Sequence, residues 1–239
     1  MATIRQDNDT KVFLVTGATG AIGKAIAQRL ADIEGSEVVL VCRDKLKAEK
    51  AVNEIIGITN NPRVRSELAD LGRHQDIRDL ANRWSGPLHA LVNNAACTPR
   101  DRQETPEGIE MQFATNVLGY FWMTDEFTEI LKASAPARVV NVASYWAGGL
   151  DLNDLEFKRR NYDNDKAYRQ SKQADRMLSA AFAEKLKPFQ GAGTPVWLAT
   201  RPIGKETTGR YFGHLAETNC PFSQDKLAVN ALYDACSNV

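Results

Sequence analysis

The sequence predicts a single doubly wound α/β domain, with a parallel central sheet and helices on both faces. Two observations carry that prediction. Short apolar runs alternate with longer segments whose apolar residues recur at helical spacing. A glycine-rich turn, Thr16-Gly-Ala-Thr-Gly-Ala-Ile-Gly23, lies between the first such run and the first such helix. At 239 residues the chain is long enough to bury a substantial core.

The first strand is Lys11–Val15, and the helix after the turn runs Lys24–Ala31. A strand, a glycine turn and a helix make a phosphate cradle: glycine permits the tight turn, and the helix N-terminus offers free N–H groups. The second strand, Glu37–Val41, ends in Cys42, Arg43 and Asp44. An acidic residue at the end of this strand receives a ribose 2′-hydroxyl, whereas a nearby arginine accommodates a 2′-phosphate. The uncharged Cys42 and the planar cation of Arg43 favour NADP(H) over NAD(H). Asp44 suits the N-cap of a helix over Lys45–Ile56.

A third strand, Arg63–Ala69, leads into Asp70 and Leu71, and a helix follows over Gln75–Trp84. The fourth strand, Leu88–Val92, runs into Asn93-Asn-Ala-Ala96, small residues and amides at a strand's carboxyl end. A long helix is predicted over Gly108–Lys132; Asn116 inside it has poor helix propensity and needs a reason to be there. The fifth strand, Ala137–Ala143, ends at Ser144, whose hydroxyl is placed at the crevice. The sixth strand is predicted at Pro195–Ala199 and a final helix at about Gln224 to Ala235. No clear last strand follows, so the prediction is six strands in the order 3-2-1-4-5-6, a truncated C-terminus and a more open substrate side. One domain covers 1–239, with a core over 11–210 and a substrate-side loop and terminal helix over 203–239.

Thirty basic residues balance thirty acidic ones, which gives no support to nucleic-acid or polybasic membrane binding. No apolar run reaches the roughly 18 residues of a membrane helix, and the polar N-terminus lacks a signal-peptide core. The four cysteines have no metal-ligand spacing, so no metal is expected; reduced thiols in a cytoplasmic compartment are the reading. Tyr168 and Lys172, four apart, share a helical face, and a lysine cation beside a phenol favours the phenolate.

Taken in order, the glycine turn, Asp70-Leu71, Asn93–Ala96, Asn116, Ser144 and Tyr168-x-x-x-Lys172 resemble the short-chain dehydrogenase/reductase family. Asp151–Leu155 and Ala167–Asp175 are most similar to its retinol-dehydrogenase-like branch. The resemblance implies a Rossmann fold and an NADP(H)-dependent oxidoreductase acting on a small, lipophilic carbonyl or alcohol. It implies Tyr168 as proton donor and acceptor, Lys172 as ribose ligand and activator of Tyr168, Ser144 as holder of the substrate oxygen and Asn116 as anchor of a proton-relay water. Cofactor contacts would come from Gly17, Thr19, Gly20, Ala21, Ile22, Gly23, Arg43, Asp70, Leu71, Asn93, Ala95, Tyr168, Lys172, Pro202 and Thr207. It also implies a homodimer through the helices of Asn116 and Tyr168, although members of this branch are often monomeric.

Two positions depart from the family pattern. Ala21 stands where the middle glycine is usual, with Gly20 one place earlier, and Ile203 replaces the glycine expected after Pro202. With the short C-terminus, they motivate an alternative: a catalytically silent, NADPH-binding regulatory protein. The Gly17–Gly20–Gly23 spacing also resembles sugar-nucleotide epimerases, but the C-terminal substrate domain of those proteins is lacking. Trp146, Tyr162, Tyr211 and Phe212 hint at an apolar or aromatic ligand.

Overall fold

The computed structural model describes residues 10–186, 190–191, 195–200, 208–213 and 215–239. Five parallel strands form the centre: β1 (Lys11–Thr16), β2 (Ser36–Cys42), β3 (Val64–Leu68), β4 (Ala90–Asn93) and β5 (Arg138–Asn141). A two-residue β6 (Gln190–Gly191) closes the edge, and the order is β3-β2-β1-β4-β5-β6. Every pairing in this sheet is parallel, with Phe13 opposite Val38 on one side and Ala90 on the other. The strand order matches the prediction.

Alternation along the strands divides the core into two clusters. Leu14, Val39, Val41 and Leu91 face α3 (His74–Arg83), α4 (Gly119–Glu126), α6 (Asn164–Lys185) and α8 (Lys226–Ser237). Phe13, Val15, Val38, Leu40 and Val92 face α1 (Ala21–Ala31), α2 (Lys45–Thr59) and α7 (Pro195–Thr200). Period-2 side chains buried on both faces make the near-continuous apolar runs of a parallel sheet. Asp44 caps α2 as expected, accepting from Lys47 N at 3.0 Å.

Two sequence expectations are corrected. Pro195–Ala199 is not the sixth strand: it is the body of α7, and the sixth place in the sheet falls to Gln190–Gly191. Proline suits a first helical turn, where its missing N–H has no partner to lose. Helix α7 packs on β4, β5 and α1, with Leu198 fully buried. The long helix over Gly108–Lys132 is also interrupted. It begins at Met111, passes through a π-helical segment at Phe113–Leu118, continues as α4, breaks at Phe127 and resumes as α5 (Thr128–Ala133).

Beyond α7 the chain forms an antiparallel hairpin, β7 (Tyr211–Gly213) with β8 (Ala216–Thr218), separate from the main sheet. Helix α8 lies against α6, where Phe121, Phe182 and Tyr233 meet with ring centroids 5.1–5.3 Å apart. Among the described residues no exposed large apolar side chain lies on α4 or α6. Among the described residues no helix is long and apolar enough to cross a membrane.

Candidate active site

The glycine cradle follows β1. Gly17 takes φ +65°, a conformation that side chains resist, and a Cβ there would lie 2.6 Å from Ala95 Cα. A Cβ on Gly23 would lie 2.5 Å from both Asn94 Nδ2 and Gly17 O. Gly20 is the N-cap of α1 and supplies no side-chain cap, so the first-turn amides stay available to an anion. The cradle opens into a cleft of about 1100 Å³, counting space open to solvent. Its walls include Thr19, Ala21, Ile22, Arg43, Asp70 and Leu71. Ala21 and Ile22 are exposed on its floor.

Thr16 fixes the opposite wall. Its buried hydroxyl accepts from Asn94 N at 2.8 Å and Ala95 N at 3.0 Å, and donates to Val92 O at 3.4 Å. Asn94 Nδ2 donates back to Thr16 O at 2.9 Å. Successive strand residues point to opposite faces, and here that separates the two asparagines. Asn94 and Ala95 line the cleft. Asn93 does not: it is fully buried behind the sheet and donates to Asn141 Oδ1 at 2.9 Å and Thr124 Oγ1 at 3.2 Å. The Asn93 side chain ties β4 to β5 and α4, and Asn94 is the one of the two that lines the cleft. Pro202 and Thr207, with Ile203, lie outside the described residues.

Asn116 sits in the π-helical turn, fully buried. Its Oδ1 accepts from Cys97 N at 2.8 Å, and its Nδ2 donates to Cys97 O at 3.1 Å and Ser171 Oγ at 3.3 Å. Ser171 Oγ in turn donates to Tyr168 O at 2.8 Å. Glu110 starts this turn by accepting from the Gln112 and Phe113 amides. The insert ahead of α6 docks here too, where Gln112 Nε2 donates to Tyr162 OH at 2.9 Å.

Helix α6, capped by Asp163, carries Tyr168 and Lys172. Tyr168 is half-buried, and its hydroxyl has no hydrogen-bond partner among the described residues. Ser144 follows β5, and Arg176 of α6 donates to its carbonyl. Beyond Ser144 the loop lies along the Tyr168–Arg169 turn: Gly148 N donates to Arg169 O at 3.1 Å, and Arg169 Nε to Trp146 O at 3.2 Å. Arg176 also stacks on Tyr211, 3.8 Å from the ring centroid, and so ties the β7–β8 hairpin to this corner.

Lys172 is 3% exposed, and its ammonium turns inward. It donates to Asp175 Oδ2 at 2.7 Å, Val142 O at 3.1 Å and Tyr120 OH at 3.4 Å. It also lies 6.0 Å from the centre of the Tyr168 ring. Burial works against its charge, but the Asp175 carboxylate and the Tyr120 phenol outweigh that and hold Lys172 above the ordinary lysine value. Burial pushes the Asp175 carboxyl up to about 7, against the opposing pull of Lys172. Burial likewise raises the Tyr120 phenol, against the same lysine.

The structure therefore gathers Asn116, Ser144, Tyr168 and Lys172 around α6 at the carboxyl end of β5. Sequence reading had assigned no role to Asn94, Tyr120, Asp175 or Arg176. A signal existed for Asp175, a carboxylate on the apolar stripe that includes Ala174, Leu178 and Ala181. Among the described residues no acidic, histidine or cysteine cluster could hold a metal ion.

The model of the family described as short chain dehydrogenase matches residues 11–190. Retinol dehydrogenase 13 of Mus musculus is 39% identical over 208 residues, spanning 85% of this chain and 61% of that protein. Human dehydrogenase/reductase SDR family member 12 is 35% identical, spanning 84% of this chain and 76% of its own length. The chain spans about three-fifths of the length of the retinol dehydrogenases it matches. Among solved structures, an uncharacterised protein from Mycobacterium paratuberculosis superposes with a TM-score of 0.81 over 98% of this chain and 97% of its own, at 23% identity. A short-chain dehydrogenase from Sphingobium yanoikuyae, solved in complex with NADPH, gives 0.59 over 77% of this chain and 70% of its own, at 24% identity. At those identities the likeness shows the fold alone.

Proposed function

The chain belongs to the short-chain dehydrogenase family, and on that premise we propose that it is an NADP(H)-dependent oxidoreductase interconverting a carbonyl and a secondary alcohol. One observation carries the reading: Tyr168 and Lys172 share α6, which holds the loop of Ser144 after β5, at the same carboxyl edge of the parallel sheet as a glycine cradle that has no room for side chains at Gly17 and Gly23. The residues present fit a dinucleotide. The α1 amides suit its pyrophosphate, and Arg43 lies exposed on the cleft wall at the end of β2. Asp44 is engaged as the α2 cap, which leaves Arg43 to meet a 2′-phosphate.

When bound, the nicotinamide supplies or accepts the hydride. Tyr168 gives its phenolic proton to the substrate oxygen in reduction and takes it back in oxidation. Ser144 holds that oxygen, and Asn116 keeps the loop at Cys97 and the Ser171 turn in register with Tyr168. A lipophilic substrate is supported by Tyr145 and Trp146, 81% and 53% exposed next to Ser144, and by the retinol dehydrogenases among the relatives. Cytoplasmic placement is part of the proposal; the four unpaired cysteines support a reducing compartment.

Tyr168→Phe is expected to lower carbonyl reduction by about a hundredfold or more while NADPH still binds. Binding of NADPH with carbonyl reduction unchanged in Tyr168→Phe would overturn the mechanism. Arg43→Ala should weaken NADPH at least about tenfold more than NADH, the loss of a charge-assisted contact; equal weakening of both would refute the role of Arg43. A second reading, a silent NADPH-binding protein, is favoured by the inward turn of Lys172. Turnover on any member of a broad panel of aldehydes and ketones excludes it.

A further inference from the structure

Lys172 has three N–H donors to give. All three are engaged inside the domain, by Asp175 Oδ2, Val142 O and Tyr120 OH. The lysine and the aspartate are 3% and 0% exposed, and none of the acceptors belongs to the cleft wall. As built, the ammonium has nothing left to offer a ribose hydroxyl.

We propose that Asp175 is a positioning residue that latches Lys172 inside the domain, so that Lys172 reaches a cofactor ribose only after leaving its ion pair with Asp175. The proposal rests on reading the cleft as an NADP(H) site. The pair is held tightly, because separating two buried charges leaves each unpaired in a low dielectric. It is also a poor device for stability alone. The second carboxylate oxygen, Asp175 Oδ1, is buried with no partner, and an apolar pair of the same volume would pack there without that cost. Among the described residues, the titratable groups facing the pair are Tyr120 from α4, Tyr168 one turn earlier on α6 and Cys236 from α8. Burial raises both Tyr120 and Cys236, so neither competes as an anion at neutral pH. Among the described residues Asp175 is the one carboxylate placed to hold the ammonium.

The latch weakens when the carboxyl is protonated. Burial places that change near neutrality, at about 7. A carboxyl raised above its ordinary value is neutral below that point and charged above it. Cofactor binding should therefore tighten as pH falls through the range and loosen as it rises.

The test uses the full chain, wild type and Asp175→Asn. Two measurements are made on each: reductive methylation of Lys172, read by peptide mass spectrometry, and NADPH dissociation, read by fluorescence. Loss of one charged contact predicts that Asp175→Asn raises Lys172 labelling about tenfold and tightens NADPH by a similar factor. A folded Asp175→Asn protein with unchanged Lys172 labelling overturns the latch. Rapid Lys172 labelling in the wild type also overturns it. If Asp175→Asn fails to fold, wild-type NADH binding from roughly pH 8.5 to roughly pH 5.5 decides the matter, since the pyrophosphate of NADH does not titrate there. Tightening on acidification is expected, and a flat or reversed profile overturns the latch. Wild-type protein that binds neither cofactor overturns the reading of the cleft instead, and the labelling comparison still decides the latch.

Discussion

Replacing Thr16 with valine tests how the cofactor cleft is held open. The two side chains have nearly the same shape, so the cavity term is small, and what is removed is one oxygen. That oxygen accepts from two backbone amides, Asn94 N at 2.8 Å and Ala95 N at 3.0 Å, in a fully buried setting. A buried donor left without an acceptor costs about 1–3 kcal/mol, so Thr16→Val should destabilise by about 2–4 kcal/mol after partial relaxation of the turn. In a chain of this size each kcal/mol lowers Tm by about 2–4 °C, which predicts a fall of about 5–15 °C. Thermal unfolding followed by circular dichroism measures it, with a urea titration to check that the m-value is unchanged. Thr16→Ser keeps the acceptor and should stay within about 1 kcal/mol of wild type. NADPH affinity should fall in Thr16→Val as well, because Ala95 closes against Gly17 with no spare room. A Thr16→Val protein as stable as the wild type, or a Thr16→Ser protein as damaged as Thr16→Val, refutes the reasoning.

Gly23→Ala places a methyl 2.5 Å from Asn94 Nδ2 and Gly17 O; overpacking of this kind costs about 1–3 kcal/mol, and NADPH titration should show the cradle lost. Gly20→Ala meets nothing nearer than 3.5 Å and is expected to leave Tm within a few degrees of wild type, at under about 1 kcal/mol. Arg160→Ala removes the guanidinium that contacts Asp154 Oδ2 at 3.0 Å, Asp154 O at 2.7 Å and Gln170 Oε1 at 3.1 Å. It leaves a buried carboxylate short of a partner, at about 1–3 kcal/mol, and limited proteolysis should then cut first within 151–163. Burial pushes Cys42 up to about 11 and Cys236 up to about 12. Near pH 8 their thiolate fraction is then about one in a thousand or less. Ellman's reagent should spare both cysteines in the native protein and count four after denaturation.

The parts of the fold that depend on local chemistry were readable in the sequence. A run of buried strand residues, a turn needing positive φ at Gly17 and an Asp44 cap each need only their own neighbours along the chain. Asn93 and Asn94 mark the boundary of that legibility. The sequence offers two adjacent amides, and the pleat sends them to opposite sides of the sheet, but only the stacking of β4 between β1 and β5 decides which one meets the cleft. Pro195–Ala199 is a five-residue apolar run, a length at which strand and buried helix look alike, and the first-turn preference of proline decided in favour of a helix. Lys172 is the more instructive case. Its i, i+4 relation to Tyr168 drew the attention, yet the helix brings Asp175, at i+3, equally near. Periodicity supplies both neighbours, and the buried environment made by Tyr120, Val142 and α8 selects the carboxylate.

The π-helical turn at Phe113–Leu118 makes chain length itself part of the site. Hydrogen bonding to the fifth residue back gives the turn one residue more than an α-helix would need there. A deletion of one residue, for example Thr115, would let the segment close as an ordinary helix with every later side chain of α4 and α5 in place. The residues before it would swing by about 100°, one helical step, and the Asn116 side of the turn would lose its registration with Cys97 and Ser171. Phe113 and Ala114 are buried on this turn, so such a variant would disturb the core there as its site went out of alignment. The family relationship would still be plain in its sequence, and the defect would show only in a count of residues.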